Sequence, residues 1–390
     1  MCGIIRITKR RNLLYIIYLI LGYFLRQVVL IIINAKYKFN DSLIFTFLML
    51  WGEFVGGLPI YIYQRFFLNK TENKAIKYLG IKLIQETSTM NRTDSNLKMI
   101  LLIFFTSYFD FVEFVISSFY MPKYSVLSPT AATRFGGGII IIGALICHFV
   151  LRFKILKHQF YSLIIIGICL IIIIIPEIVV KSKDASLEEF LLSHLLILGY
   201  LIFVAMTDVV EKYLIEFNFL NPFFILTFES IFGFILISIY SAGENPFKDI
   251  KRIYNESSTG EFVLLIFLLF LYFVFSAESN IYRILTNGLF SPMVKTLSVY
   301  ILNPIIFIYY FIIEYDFLYK DERNWLYFVV IIIFSIIISF FGCVFNEFLV
   351  LSCFGFYFET HSTVSERAAS EIIDKNYNIM DEITDDSSDI

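Results

Sequence analysis

Apolar residues fill this chain in long, nearly unbroken runs, rather than in the alternation that marks a half-buried strand or a surface helix. The runs lie at 13–33, 43–63, 97–119, 130–151, 160–176, 190–210, 223–240, 262–281, 294–313 and 325–345. Each is close to the ~20 residues an α-helix needs to cross ~30 Å of hydrocarbon, so the pattern predicts ten transmembrane helices. The first run follows Arg6, Lys9, Arg10 and Arg11, is too long for a signal-peptide core and has no small-residue cleavage site, so it reads as the first span. After 345 the pattern fades, and from about 360 the chain is polar and acidic, ending DEITDDSSDI, a composition that leaves it disordered. The expected organisation is a cytosolic N-terminus at 1–12, five helices in 13–177, five more in 178–345 and an acidic cytosolic tail at 346–390.

Composition strengthens this picture. With 58% hydrophobic residues among 390, the polar surface of a soluble protein could not cover the apolar area, so the class is all-α integral membrane. The net charge of -3 is spread over short loops and the tail, with no basic patch interleaved with aromatics, so nucleic acid is not an expected partner. The lipid bilayer and a small-molecule substrate are, and a homodimer is among the assemblies such a bundle allows. Cys2, Cys147, Cys169, Cys343 and Cys353 show neither CxxC nor Cys/His ligand spacing, so no metal site or cofactor is expected. Lys and Arg concentrate after the second span (Arg65, Lys70, Lys74, Lys77, Lys82, Arg92) and after the fourth (Arg152, Lys154, Lys157), which places both termini in the cytosol.

The candidate chemistry lies in the ionisable residues lodged in or beside the apolar runs: Glu53, Asp110, Glu113, Arg134, Glu229, Glu278 and Lys295. A charge near the bilayer centre costs about 2.5–3.5 kcal/mol even on lenient insertion scales, so these groups must face one another or a polar cavity. Asp110 and Glu113 share a helical face at i,i+3 spacing, where they either exchange protons or pair with Arg134 or Lys295. Glu53 and Glu229 stand beside glycines, in Gly52-Glu53-Phe54-Val55-Gly56-Gly57 and Glu229-Ser230-Ile231-Phe232-Gly233, and fit either a binding site or interhelical struts. Arg26 in the first span either snorkels to the interface or faces the cavity.

A short repeat relates the two halves. Ser128-Pro129-Thr130-Ala131-Ala132-Thr133 opens span four and Ser291-Pro292-Met293-Val294-Lys295-Thr296 opens span nine, both S-P-x-x-x-T. Ser as cap and Pro in the first turn start helices, whose free amides present partial positive charge. Arg134 and Lys295 stand in or just beyond these turns, so Thr133, Arg134 and Lys295 join the candidate site as a place for an anionic or zwitterionic solute.

These residues resemble the drug/metabolite transporter superfamily (EamA-like), and within it the solute carrier 35 family, branch F, near its sixth member. The resemblance rests on Met49-Leu50-Trp51-Gly52-Glu53-Phe54, on Asp110, on the run from Ser128 to Gly136, on Leu151 to Phe160, on Glu211-Lys212-Tyr213 and on Thr227 to Phe234. It implies ten helices as two inverted five-helix repeats, both termini cytosolic, and alternating-access transport of an organic solute, nucleotide-sugar-like, amino-acid-like or drug-like, usually in an endomembrane. Pro129 and the Gly136-Gly137-Gly138 run depart from the family pattern. An enzyme is not expected, since HExxH, GxGD, DHHC and nucleophile-elbow motifs are missing from the sequence. The alternative is a non-transporting receptor or scaffold built on the same bundle.

Overall fold

A computed structural model describes residues 4–7, 10–39, 41–68, 96–121, 135–181, 187–243, 248–305, 307–308, 322–351 and 360. Eight helices are long and apolar enough to cross a membrane. They are α1 (Arg10–Tyr37), α2 (Ser42–Tyr63), α3 (Asn96–Val115), α5 (Lys157–Lys181), α6 (Leu187–Glu216), α7 (Pro222–Tyr240), α9 (Thr259–Leu289) and α11 (Glu322–Phe345). The described residues also include three shorter helices: α4 (Gly137–Val150), the amphipathic α8 (Lys248–Glu256) and α10 (Pro292–Tyr300). The chain is thus a polytopic, all-helical membrane protein. Ser128, Pro129, Thr133, Arg134 and the tail beyond 360 lie outside the described residues.

Local signals explain the starts of α2, α7 and α9. The Asp41 carboxylate accepts from the Leu43 and Ile44 amides at 3.0 and 3.2 Å, satisfying the free first turn of α2. Asn221 does the same for Phe223 at 2.9 Å ahead of Pro222 in α7, and Ser258 with Glu261 forms a reciprocal capping box on α9.

Within the expected ninth span, 294–313, the described residues show an interrupted helix that is helical again at 303–305 and 307–308, and 309–313 lie outside the described residues. Helix α10 stops at Tyr300 and a turn at 301–302 follows. Pro304 has no N–H to bond the Tyr300 carbonyl, and its ring clashes with that position, so the ladder cannot run through. The start of α10 also differs from a simple serine cap, because the Ser291 hydroxyl donates to Asn346 Oδ1 at 2.5 Å.

Helix α9 is the organising element: it packs along α1 and α2, while α2 also packs on α7, α3 on α6 and α7, α4 on α6 and α10, and α5 on α11. Glycines set the closest approach. A Cβ added at Gly52 would sit 2.8 Å from the Ala277 amide nitrogen, so α2 and α9 touch backbone to backbone. Large apolar side chains such as Phe149, Leu195, Ile239 and Val263 face outward, whereas Thr207, Asp208, Glu211 and Glu229 are buried, the inside-out distribution suited to lipid. A strand, β1 (Ile4–Ile7), pairs antiparallel with β2 (Leu349–Leu351), joining Ile7 to Leu349. This contact holds the beginning of α1 and the end of α11 at one end of the bundle.

The tight α2–α9 contact generates a stability prediction. Gly52→Ala should destabilise the protein by about 1–3 kcal/mol, because neither backbone can give way cheaply. Gly260→Ala meets nothing within 4 Å and should be neutral or slightly stabilising. Unfolding midpoints of the two variants in detergent provide the comparison.

Candidate functional site

A cavity of about 370 Å³ opens among α1, α2, α3, α4, α6, α9 and α10. Its polar wall consists of Arg26, Glu53, Asp110, Glu113, Asn280, Arg283, Lys295 and Thr296, and its aromatic wall includes Tyr23, Phe114, Tyr200 and Tyr300. A single π-helical turn, Ile116–Tyr120, ends α3 beside it and presents Ser117 to the space.

Arg283 is the hub beneath this cavity. On α9, only 7% exposed, its Nη1 meets Glu211 Oε1 of α6 at 2.5 Å, and its Nη2 meets Glu229 Oε2 of α7 at 3.4 Å and Glu53 Oε1 of α2 at 3.8 Å. One guanidinium therefore joins four helices. Its planar fork of donors suits several carboxylates at once, which a lysine ammonium could not match. Asn287, one turn along α9, donates to Glu211 Oε2 at 2.7 Å and to the Asp208 carbonyl at 2.9 Å, so both oxygens of Glu211 are engaged. Beside this hub, Lys295 of α10 pairs with Asp208 of α6 at 2.6 Å.

A third cation, Lys212, points away from the cavity. It donates to the Gly288 and Phe290 carbonyls at 3.2 and 2.5 Å and pairs with Glu216 at 2.6 Å. That position neutralises the negative end of α9 and serves structure rather than the cavity.

Of the residues singled out in the sequence, Glu53, Asp110, Glu113 and Lys295 line one cavity together. Glu229 lies behind the wall, bound to Arg283, so of the two glycine-flanked glutamates one faces the space and both hold the arginine. Glu278 is not part of the lining and packs against Gly22 of α1. Arg26 faces the cavity and lies over the Tyr23 ring at 4.9 Å.

Sequence reasoning does not place Asp208, Glu211 or Arg283 in the candidate site, although Glu211 stands in the Glu211-Lys212-Tyr213 element on which the resemblance rests. A signal for the first two exists: Asp208 and Glu211 repeat the Asp-x-x-Glu spacing of Asp110 and Glu113, and the two pairs sit on α6 and α3, which pack together. Nothing local marks Arg283, whose partners lie on three other helices. Comparison with protein-family models finds no match for the chain, and comparison with curated proteins finds none.

The hub makes its own prediction. Arg283→Met leaves Glu53, Glu211 and Glu229 facing one another without a countercharge and should cost about 3–5 kcal/mol of stability. The double variant Arg283→Met/Glu211→Gln should be more stable than the single one, because it removes the closest orphaned charge. Thermal unfolding of the four members of that cycle in detergent measures the coupling.

Proposed function

We propose that the chain is a membrane transporter that carries a small organic solute by alternating access, on a bundle of two inverted five-helix halves of the drug/metabolite transporter type. The observation that carries this reading is the cavity itself. Its walls come from both halves, from α1 to α4 and from α6, α9 and α10, and its charged side chains converge from helices distant in sequence. A volume of about 370 Å³ falls in the range of small-molecule sites.

The packing pattern supports the repeat. With α8 set aside as an interfacial segment, advancing each of the ten remaining helices by five positions turns the pair α1–α9 into α6–α3, α2–α9 into α7–α3, and α4–α6 into α10–α1, and all six pairs are in contact. The pairs α2–α7, α4–α10 and α5–α11 map onto themselves, as a pseudo-two-fold axis requires. The half-length α4 and α10 occupy equivalent places, and short or interrupted helices at equivalent places are where such folds hold their solutes.

The termini follow from the same reading. The β1–β2 contact is consistent with an even number of crossings, and the basic residues after spans two and four support a cytosolic side for that end. An endomembrane location follows from the family resemblance. Asp110 and Glu113 border open space, with no ion pair within 4 Å among the described residues, which makes them the groups for coupling to protons or to exchange.

Reconstitution tests this directly. Proteoliposomes loaded in turn with nucleotide sugars, amino acids, peptides and organic cations should exchange one of these classes with external solute well above protein-free vesicles. A pH gradient should drive accumulation in the wild type but not in Asp110→Asn or Glu113→Gln, while exchange at equal concentrations survives in both. If no class moves faster than in protein-free vesicles, the bundle is a receptor or scaffold instead.

A further inference from the structure

The charges at the cavity do not balance. Six carboxylates, from Glu53, Asp110, Glu113, Asp208, Glu211 and Glu229, face the three cations Arg26, Arg283 and Lys295. Two of the cations are already engaged by acids, Lys295 by Asp208 and Arg283 by three glutamates, and Arg26 lies over the Tyr23 ring, whereas Asp110 and Glu113 line the open space. An anionic solute entering here would meet one cation without an acidic partner, Arg26, against two acids without a cationic one, Asp110 and Glu113, in a wall where carboxylates outnumber cations among the described residues.

Two further features point to a ligand. Asn280 and Thr296 line the cavity at 5% and 6% exposure, and Asn280 Nδ2 and Thr296 Oγ1 have no hydrogen-bond partner among the described residues. Buried polar groups left unmatched in this way are met by what binds there. The remaining wall carries the rings of Tyr23, Phe114, Tyr200 and Tyr300, whose faces attract a cation and stack on a flat body.

We propose that the cavity selects an organic cation, a protonated amine on an aromatic or apolar body, seating the ammonium at Asp110 and Glu113 and a hydrogen-bonding group of the solute at Asn280 and Thr296. This inference rests on the reading of the cavity as a solute site and goes beyond it by fixing the sign of the cargo's charge. The anion-attracting role expected for Lys295 is already met within the protein by Asp208.

The test compares three solutes with one ring system: tryptamine, indole-3-acetamide and indole-3-acetate, carrying positive, zero and negative charge at neutral pH. Binding to the full-length purified protein in detergent is read from the unfolding midpoint as each is titrated. Tryptamine should raise the midpoint at the lowest concentration, the amide should need at least about tenfold more, and the acetate should have no effect. Asp110→Asn/Glu113→Gln should bring tryptamine down to the level of the amide, while Asp249→Asn on α8 should leave the ranking unchanged.

Because the wild-type ranking needs no variant, a double variant that fails to fold does not weaken the test. Equal binding of all three, tighter binding of the acetate, or binding of none overturns the assignment. Vesicles that exchange an anionic solute while tryptamine fails to bind would leave the transport reading standing without the cation. Tryptamine binding by protein that exchanges no solute would do the reverse.

Discussion

A guanidinium buried among apolar helices must be matched, because an unpaired charge in that medium costs several kcal/mol. Arg283 meets this constraint with carboxylates from α2, α6 and α7, and much of the bundle follows from the need to bring them within reach. Gly52 lets α2 lie against the α9 backbone at Ala277, and its neighbour Glu53 then reaches Arg283 further along the same helix. On the other side of α2, an added Cβ at Gly57 would lie 2.9 Å from the Thr227 hydroxyl of α7, close to the turn that carries Glu229. The glycines and the glutamates of these two helices form one device: small residues admit the backbones, and the acids close on the arginine from both sides.

The same constraint divides the interior into a packed part and an open part. Around Glu211, Glu229 and Asn287, ion pairs and hydrogen bonds through Arg283 bind helices α2, α6, α7 and α9 together. Toward α1, α3 and α10 the groups face space instead, and the Lys295–Asp208 pair is the charged tie between α10 and α6. A bundle that opens alternately to two sides needs one fixed body and one that can shift, with the solute favouring particular arrangements of the two. In the proposed transport cycle the Arg283 cluster would be the first, and α4 and α10, which contribute Ile139, Lys295 and Tyr300 to the cavity, would belong to the second.

Much of the fold was legible because lipid imposes a simple rule on the chain. Continuous apolar runs of about the right length marked eight spans that the structure contains, and Asp41, Asn221-Pro222 and Ser258 with Glu261 marked where helices begin. The interruption after Tyr300 was readable in principle from Pro304, but hydropathy carries across a proline without a trace, and the apolar run concealed the break. Glu53, Asp110, Glu113 and Lys295 were found because each is an ionisable group in apolar surroundings. Arg283 escaped because it lies beyond the most apolar stretch of its helix, and its meaning resides in partners separated from it by 54 and 72 residues along the chain. Only the fold brings them together. Glu278 shows the opposite failure, an acid in an apolar run that lies outside the cavity wall.

Alternating access requires the cavity to communicate with each face of the membrane in turn, and Ser117, on the π-turn at its wall, is placed to report it. With the native cysteines replaced and Ser117→Cys introduced, reactivity toward a membrane-impermeant maleimide is measured in sealed vesicles with the reagent on either side, under solute gradients of both directions. For a transporter, labelling should pass from one face to the other when the gradient is reversed. Labelling from the same face under both gradients, or from both faces at once at full rate, contradicts it.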